Sequence, residues 1–340
     1  MSQADGELTA RDFMSDRQVR WCPGCGDYAI LGRMLMLLPE LGIPREKIVF
    51  VSGIGCSSRF PYYVNTYGLH SVHGRAPTLA TGLKLANPEL TVFLVTGDGD
   101  GLSIGGNHLL HLCRRNVDVK VLLFNNRIYG LTKGQYSPTS PRGTRNKTAP
   151  MGSLDRPVNP LSVALAAEVT FAARTADRLF EHQTEVLRRA VAHRGTAFVE
   201  ILQNCLVFND GVWQGVNETR ATDEVEARRL FLRHGQPMTF GPGGRLGLRL
   251  RGFEPEVVPV EAVGSEDLLV HDERTQDPSL AHLLSRLAPP RFPVPLGVLR
   301  ETEAPVFEQG VLEQVARAKA GDGPADLEAL LRAGETWRVG

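Results

Sequence analysis

The chain has 340 residues, and its 38 Lys and Arg balance 38 Asp and Glu, so the formal net charge is zero and gives no electrostatic case for nucleic acid or an anionic membrane as partner. Apolar content is that of an ordinary globular protein, no apolar run reaches the length of a membrane span, and the polar start MSQADGELTARDF is no signal peptide; a cytoplasmic protein is expected. Five cysteines in such a chain do not read as a disulfide framework and need another use.

In chain order, residues 1–19 read as a polar, loosely held arm. Trp21-Cys22-Pro23-Gly24-Cys25-Gly26-Asp27 forms a tight C-x-x-C turn, and apolar residues at helical spacing predict a helix from Tyr28 to Leu38. Ile48 to Ser52 is a short β-branched strand that ends in Gly53-Ile54-Gly55-Cys56-Ser57-Ser58. A helix is predicted from Ala76 to Ala86, closed by Asn87-Pro88. His73, Gly74 and Arg75 lie just before its N-terminus, where they can meet a diphosphate or an anionic substrate, or simply brace a loop.

The next stretch organises the molecule. Thr91 to Thr96 reads as a buried parallel strand that breaks into Gly97-Asp98-Gly99-Asp100-Gly101. A helix is expected from Leu102 to Asn116, then a second strand, Val119 to Phe124, which stops at Asn125-Asn126. In open α/β sheets ligands bind at the carboxyl ends of strands. There Asp98 offers a carboxylate oxygen, Asn126 an amide oxygen and Ile128 its carbonyl, a set of hard ligands that suits Mg²⁺ with the rest taken from phosphate and water. The glycines allow close backbone approach and the helix N-terminus favours an anion. G-D-G followed about thirty residues later by N-N resembles the thiamine diphosphate-binding motif. It is not a dinucleotide fingerprint, because the third glycine is missing at Leu102, and no Walker A sequence occurs.

From Tyr129 to Pro160 the chain is polar and rich in Pro, Gly, Thr and Arg, a loop long enough to be functional or linking. It starts Gly130-Leu131-Thr132-Lys133-Gly134-Gln135, directly after the metal site. Further elements are a helix at Leu161–Glu168, a strand at Val169–Ala173, a helix at Asp177–His193 and a strand at Ala197–Leu202, soon followed by Cys205. After about residue 207 the character changes: helices at Asp223–Phe231, Ser279–Leu287, Pro305–Ala318 and Pro324–Ala333, a small hairpin or sheet across Met238–Glu261, and prolines at 289, 290, 293 and 295. This last third carries no catalytic motif and reads as an extension that wraps the core or meets a partner.

Cys22, Cys25, Cys56 and Cys205 each lie in a turn or beyond a strand end, whereas Cys113 is in phase with the apolar face of its helix and reads as a buried, inert thiol. Four thiolates can hold a [4Fe–4S] cluster or a structural zinc. A cluster near the thiamine ring has an obvious use as a one-electron acceptor, and zinc has no redox chemistry to offer.

The stretches WCPGCGDYAI, GIGCSSRFPYY, HGRAPTLATGLKLANP, VTGDGDGLSIGGNHLLHLCRRN, LLFNNRIYGLTKGQYSPTS and NCLVFND resemble the β subunits of 2-oxoacid:ferredoxin oxidoreductases over most of residues 20–210. The resemblance implies a doubly wound, mostly parallel α/β sheet of the thiamine diphosphate-binding type at 20–206 and a C-terminal extension at 207–340. It implies Cys22, Cys25, Cys56 and Cys205 as ligands of one [4Fe–4S] cluster, and Asp98, Asn126 and Ile128 as the Mg²⁺ site. The expected cofactor-binding set is Gly55, Ser57, His73, Gly74, Gly97, Asp98, Gly99, Asp100, Asn126, Ile128, Gly130, Leu131 and Thr132, with Lys133, His73 and Arg75 as catalytic candidates. The segment GLTKGQ is most like members acting on 2-oxoglutarate. An α subunit that supplies the glutamate activating the thiamine, ferredoxin as acceptor, coenzyme A as acyl acceptor and an (αβ)₂ assembly are implied with it. The same chemistry on pyruvate or branched 2-oxoacids, and a zinc-stapled, non-catalytic nucleotide-binding module, are the alternatives.

Overall fold

The structure is a computed structural model that describes residues 8–321, 326–337 and 339–340. In chain order the strands are β1 (Ile48–Ser52), β2 (Tyr67–His70), β3 (Thr91–Gly97), β4 (Val119–Asn125), β5 (Phe171–Ala176), β6 (Ala197–Leu202), β7 (Arg229–Phe231), β8 (Thr239–Phe240), β9 (Leu246–Arg251), β10 (Glu254–Pro259) and β11 (Val294–Glu301). The α-helices are α1 (Asp27–Glu40), α2 (Ala76–Ala86), α3 (Asp98–Leu102), α4 (Gly106–Arg115), α5 (Pro160–Ala166), α6 (Phe180–Ala192), α7 (Asp223–Ala227), α8 (Ser279–Arg286), α9 (Phe307–Gly321) and α10 (Leu327–Leu331).

Eight strands form one sheet in the order β2-β1-β3-β4-β6-β5-β11-β7, parallel throughout except where β11 runs against β5. The central strands β1, β3, β4 and β6 are mostly apolar and are buried at nearly every position, because both faces are covered. Val49, Val51, Val92, Leu94, Val121 and Leu123 join one core beneath helices α2, α4, α5 and α8. Their alternates Phe50, Phe93, Val95, Leu122 and Phe124 join the other beneath α1 and α6. That two-residue alternation is the pleat of a strand buried on both sides. The chain winds from β1 out to β2 and then back past β1 to β3, so the winding reverses between β1 and β3, the place where doubly wound sheets bind ligands.

The α/β expectation holds, and four local expectations change. The helix expected over Leu102–Asn116 is split: α3 ends at Leu102, and Gly105 donates its amide to the Asp100 carbonyl (3.1 Å) before α4 begins. Two adjacent glycines, poor helix formers, mark that break. The N-terminal arm is not loose where it is described, since Phe13 is fully buried and Arg45 and Asn65 both donate to the Asp12 carbonyl at 2.9 Å; residues 1–7 lie outside the described residues. The expected helix over Asp223–Phe231 ends at Ala227, and Arg229–Phe231 pairs as β7 with β11. The last third therefore does more than wrap the core, as β11 and β7 extend the main sheet while β8, β9 and β10 make a separate antiparallel sheet. The helix expected from Pro324 is described only from residue 326, with α10 from Leu327.

Candidate active site

Asp98 is the first residue of α3, immediately beyond β3, where a helix N-terminus favours a carboxylate. It is 1 % exposed. Burial raises its pKa to about 6, opposed by the hydroxyls of Ser137 and Thr139 and by the Asn126 backbone. Thr139 donates to Asp98 Oδ2 at 2.6 Å and also lies 3.0 Å from Asn125 Oδ1. One strand over, at the tip of β4, Asn126 Oδ1 accepts the Ile128 amide (3.1 Å), and the Asn126 carbonyl accepts from Asn209 (2.9 Å). The Asn126 side-chain oxygen still has a second lone pair for a metal. One carboxylate, one amide oxygen and one carbonyl are few, hard ligands, which fits Mg²⁺ bound chiefly by a diphosphate. A divalent cation there would also offset the cost of burying the Asp98 charge.

A cleft between the ends of β1, β3 and β4 is lined by every expected cofactor residue except Gly74. Its narrowness requires glycine at 99, where a Cβ would fall 2.3 Å from the Tyr129 ring, and Tyr129 Oη donates to the Gly99 carbonyl at 2.9 Å. Asp100, expected among the cofactor residues, spends its carboxylate inside the protein. Oδ1 accepts from the Gly74 amide (2.8 Å) and the Ile54 amide (3.3 Å), and Oδ2 from Thr96 Oγ1 (2.9 Å). It thus ties the loops after β1, β2 and β3 together, and Gly74 acts through it rather than in the cleft. His73 lines the cleft, with Nδ1 2.5 Å from Asp100 Oδ1 but without hydrogen-bond geometry. Arg75 caps α2, and neither it nor the exposed Lys133 lines the cleft; Lys133 sits on the loop above it with a left-handed φ of 75°.

All five cysteines are free thiols. A Cβ on Gly130 would meet the Cys56 and Cys205 sulfurs at 3.5 and 3.6 Å, so those two converge beside the cleft although they are 149 positions apart in the chain (205 − 56). Burial pushes the Cys56 thiol up to about 12, and the neighbouring Asp27, Cys205 and Cys22 push the same way. The Cys25 thiol is also raised, first by burial and then by Asp27, Cys205 and Cys56. Backbone amides of Phe208, Val207 and Asn209 point at Cys205, and Gln203 Nε2 donates to Cys25 Sγ at 3.3 Å. Amide donors aimed at sulfur are what an iron–sulfur cluster uses to set its potential. Among the described residues no three His, Cys, Asp or Glu side chains stand close enough for a single metal ion. Cys113 lies apart on α4, buried in the core beneath α2 and α4.

Sequence reasoning overlooked Thr139, Ser137, Tyr129, Asn125 and the buried Asp27. Thr139 and Ser137 stand in the long loop, and only its folding back onto α3 brings their hydroxyls to Asp98.

Comparison with known proteins decides the family. Residues 53–201 match the thiamine pyrophosphate enzyme, C-terminal TPP binding domain. The chain is 53 % identical over 338 residues to the 2-oxoglutarate oxidoreductase subunit KorB of Mycobacterium tuberculosis, covering 98 % of this chain and 90 % of that one. The chain belongs to the 2-oxoacid:ferredoxin oxidoreductase β subunits. It is 48 % identical over 190 residues to the 2-oxoacid:ferredoxin oxidoreductase 1 subunit beta of Aeropyrum pernix, spanning 56 % of this chain and 60 % of that relative. A solved structure titled 2-oxoglutarate:ferredoxin oxidoreductase from Magnetococcus marinus, with 2-oxoglutarate, coenzyme A and succinyl-CoA bound, superposes with a TM-score of 0.74 at 32 % identity over 97 % of each chain. This oxidoreductase subunit is therefore part of an enzyme, with a thiamine diphosphate-binding domain at its centre. No helix among the described residues is long and apolar enough to cross a membrane.

Proposed function

We propose that this β subunit, joined to an α subunit, catalyses the CoA-dependent oxidative decarboxylation of 2-oxoglutarate to succinyl-CoA and CO₂, reversibly, and passes electrons through one [4Fe–4S] cluster to ferredoxin. The observation that carries the reading is that Asp98, Asn126 and Cys56 line one cleft, with the Cys205 sulfur converging on Cys56 beside it at Gly130. When bound, thiamine diphosphate supplies decarboxylation of the 2-oxoacid and the cluster supplies a one-electron acceptor beside it. The chain's own residues bind and position. Asp98, held by Thr139, and Asn126 would hold Mg²⁺ on the diphosphate. The carboxylate of Asp100 fixes the relative height of three loops, and Tyr129 closes the backbone over Gly99. Cys22, Cys25, Cys56 and Cys205 would hold the iron, which would make each thiol a thiolate, the exposed Cys22 as well as the three more buried ones. Lys133 lies on the loop over the cleft, and a lysine there can meet the distal carboxylate that 2-oxoglutarate has and pyruvate lacks. The relatives named for 2-oxoglutarate support that substrate. Residues 20–206 would carry both cofactors, while 207–340 completes the sheet and meets the partner in an (αβ)₂ assembly in the cytoplasm.

The test is the chain co-expressed with its α subunit, assayed with CoA and ferredoxin against 2-oxoglutarate, pyruvate and branched 2-oxoacids. The highest kcat/KM is expected for 2-oxoglutarate, and a preference for pyruvate or a branched acid would overturn the substrate assignment.

A further inference from the structure

A second cavity, of about 570 Å³, lies beyond the tip of β4 from the cofactor cleft. Asn125 and Thr139, the neighbours of Asp98, form part of its wall. Its volume is that of a small-metabolite site. Four arginines line it against one glutamate. Two of the four are already matched: Arg174 pairs with Glu200 at 2.7 Å and Arg228 with Glu224 at 2.8 Å. Arg127 and the exposed Arg286 enter no ion pair among the described residues, whose pairs all involve other side chains.

Arg127 is the unusual one. Asn126 and Ile128 on either side of it face the cofactor cleft, whereas Arg127 lines the second cavity. Its backbone adopts a left-handed φ of 56°, uncommon for a residue with a long side chain, and the turn is locked by its amide on Asn125 Oδ1 (3.2 Å) and by Ser140 Oγ on its carbonyl (2.6 Å). The guanidinium stacks 4.0 Å over the Trp213 ring, and Trp213 is itself fixed by its indole N–H on the Asn125 carbonyl (2.7 Å). Arg127 Nε is buried with no hydrogen-bond partner. A half-buried guanidinium whose buried Nε has no partner is stabilised when an anion meets it, and its planar fork suits phosphate or carboxylate oxygens. Stacking on the indole holds that fork in place in advance.

We propose that this cavity is a second ligand site, separate from the cofactor cleft, for a small polyanion such as a phosphorylated or polycarboxylate metabolite held by Arg127 and Arg286. Occupancy of the site does not depend on the redox chemistry.

The test uses the assembled enzyme saturated with Mg²⁺ and thiamine diphosphate, so that the diphosphate site is already filled. Inorganic phosphate and, separately, tricarballylate are titrated at millimolar concentrations, followed by tryptophan emission and by calorimetry. Saturable binding of at least one is expected; phosphate alone points to a phosphorylated ligand, tricarballylate alone to a polycarboxylate. Arg127→Gln should weaken it about ten- to a hundred-fold, the worth of a charge-assisted contact. Arg286→Gln, on the surface and harmless to folding, should weaken it in the same direction. Trp213→Phe should abolish the emission change while calorimetric binding persists. Failure of both anions to bind the assembled enzyme, as when a partner carboxylate fills the cavity, overturns the proposal. So does binding that neither arginine substitution alters.

Discussion

Replacing Thr139 by Val removes one hydroxyl and little volume. In the native protein that hydroxyl lies 2.6 Å from Asp98 Oδ2, and both residues are buried, at 3 % and 1 % exposure. A hydrogen bond to a charged group is worth about 1.5–3 kcal/mol. Partners of metal-ligating carboxylates typically account for about 10–100-fold in metal affinity, the same energy range. Thr139→Val should therefore weaken Mg²⁺–thiamine diphosphate binding about ten- to a hundred-fold. Thr139→Ser, which keeps the hydroxyl, should restore most of it. Calorimetric titration of the cofactor into the assembled enzyme gives the affinities, and thermal unfolding of the cofactor-free forms reports any general loss of structure. If Val and Ser bound cofactor equally well, or both as weakly, the hydroxyl would not be what orients Asp98, and the geometry derived for the metal site would be wrong.

Cys205→Ser should lose or convert the cluster while Cys113→Ser keeps about four iron atoms per chain; equal iron loss in both would erase the distinction between them. Lys133→Met should lower kcat/KM for 2-oxoglutarate about ten- to a hundred-fold and leave any pyruvate activity much less affected; an equal fall on both would make Lys133 a residue of the cofactor or of the common 2-oxoacid head. Burial holds His182 and His193 down at about 4, with Arg229 and Lys120 adding to it respectively. Both are thus neutral in the fold, and the stability they contribute is full above about pH 6.5 and is lost as pH falls toward 4, on the order of 3 kcal/mol for His182. Urea midpoints measured across that range should fall less steeply in His182→Gln, and an unchanged slope would count against the assignment.

The convergence of Asp98 and Asn126 is legible because it is local: G-D-G and N-N each follow an apolar run, and adjacent parallel strands bring their ends together whatever the rest of the chain does. The register sets those strand ends side by side, with Gly97 opposite Phe124 on β3 and β4. Cys56 and Cys205 group by the same rule of strand ends, Cys22 and Cys25 by their C-x-x-C turn, and Cys113 stands apart by its helical phase. Thr139 was not legible, since its role depends on how the long loop after β4 returns to α3. Nor was the side chain of Arg127, whose direction depends on one left-handed residue between two cofactor-facing neighbours. Strand β11 was hidden by Pro293, Pro295 and Gly297, which argue against a strand, yet it pairs with β5 and β7 on either side. Strand β2 was missed because Tyr67–His70 is exposed along its whole length at the sheet edge and carries no apolar pattern.

The central claim is that one cleft brings the thiamine diphosphate site and a [4Fe–4S] cluster together in this chain. It is tested most directly by purifying the assembled enzyme without oxygen, adding 2-oxoglutarate and coenzyme A but no ferredoxin, and recording electron paramagnetic resonance with iron and zinc analysis. The account predicts about four iron atoms per chain and a signal from the reduced cluster that appears only with substrate and is lost in Asp98→Ala, which keeps its iron but not its thiamine diphosphate. A colourless protein holding one tightly bound zinc, or an iron cluster that substrate never reduces, would contradict it.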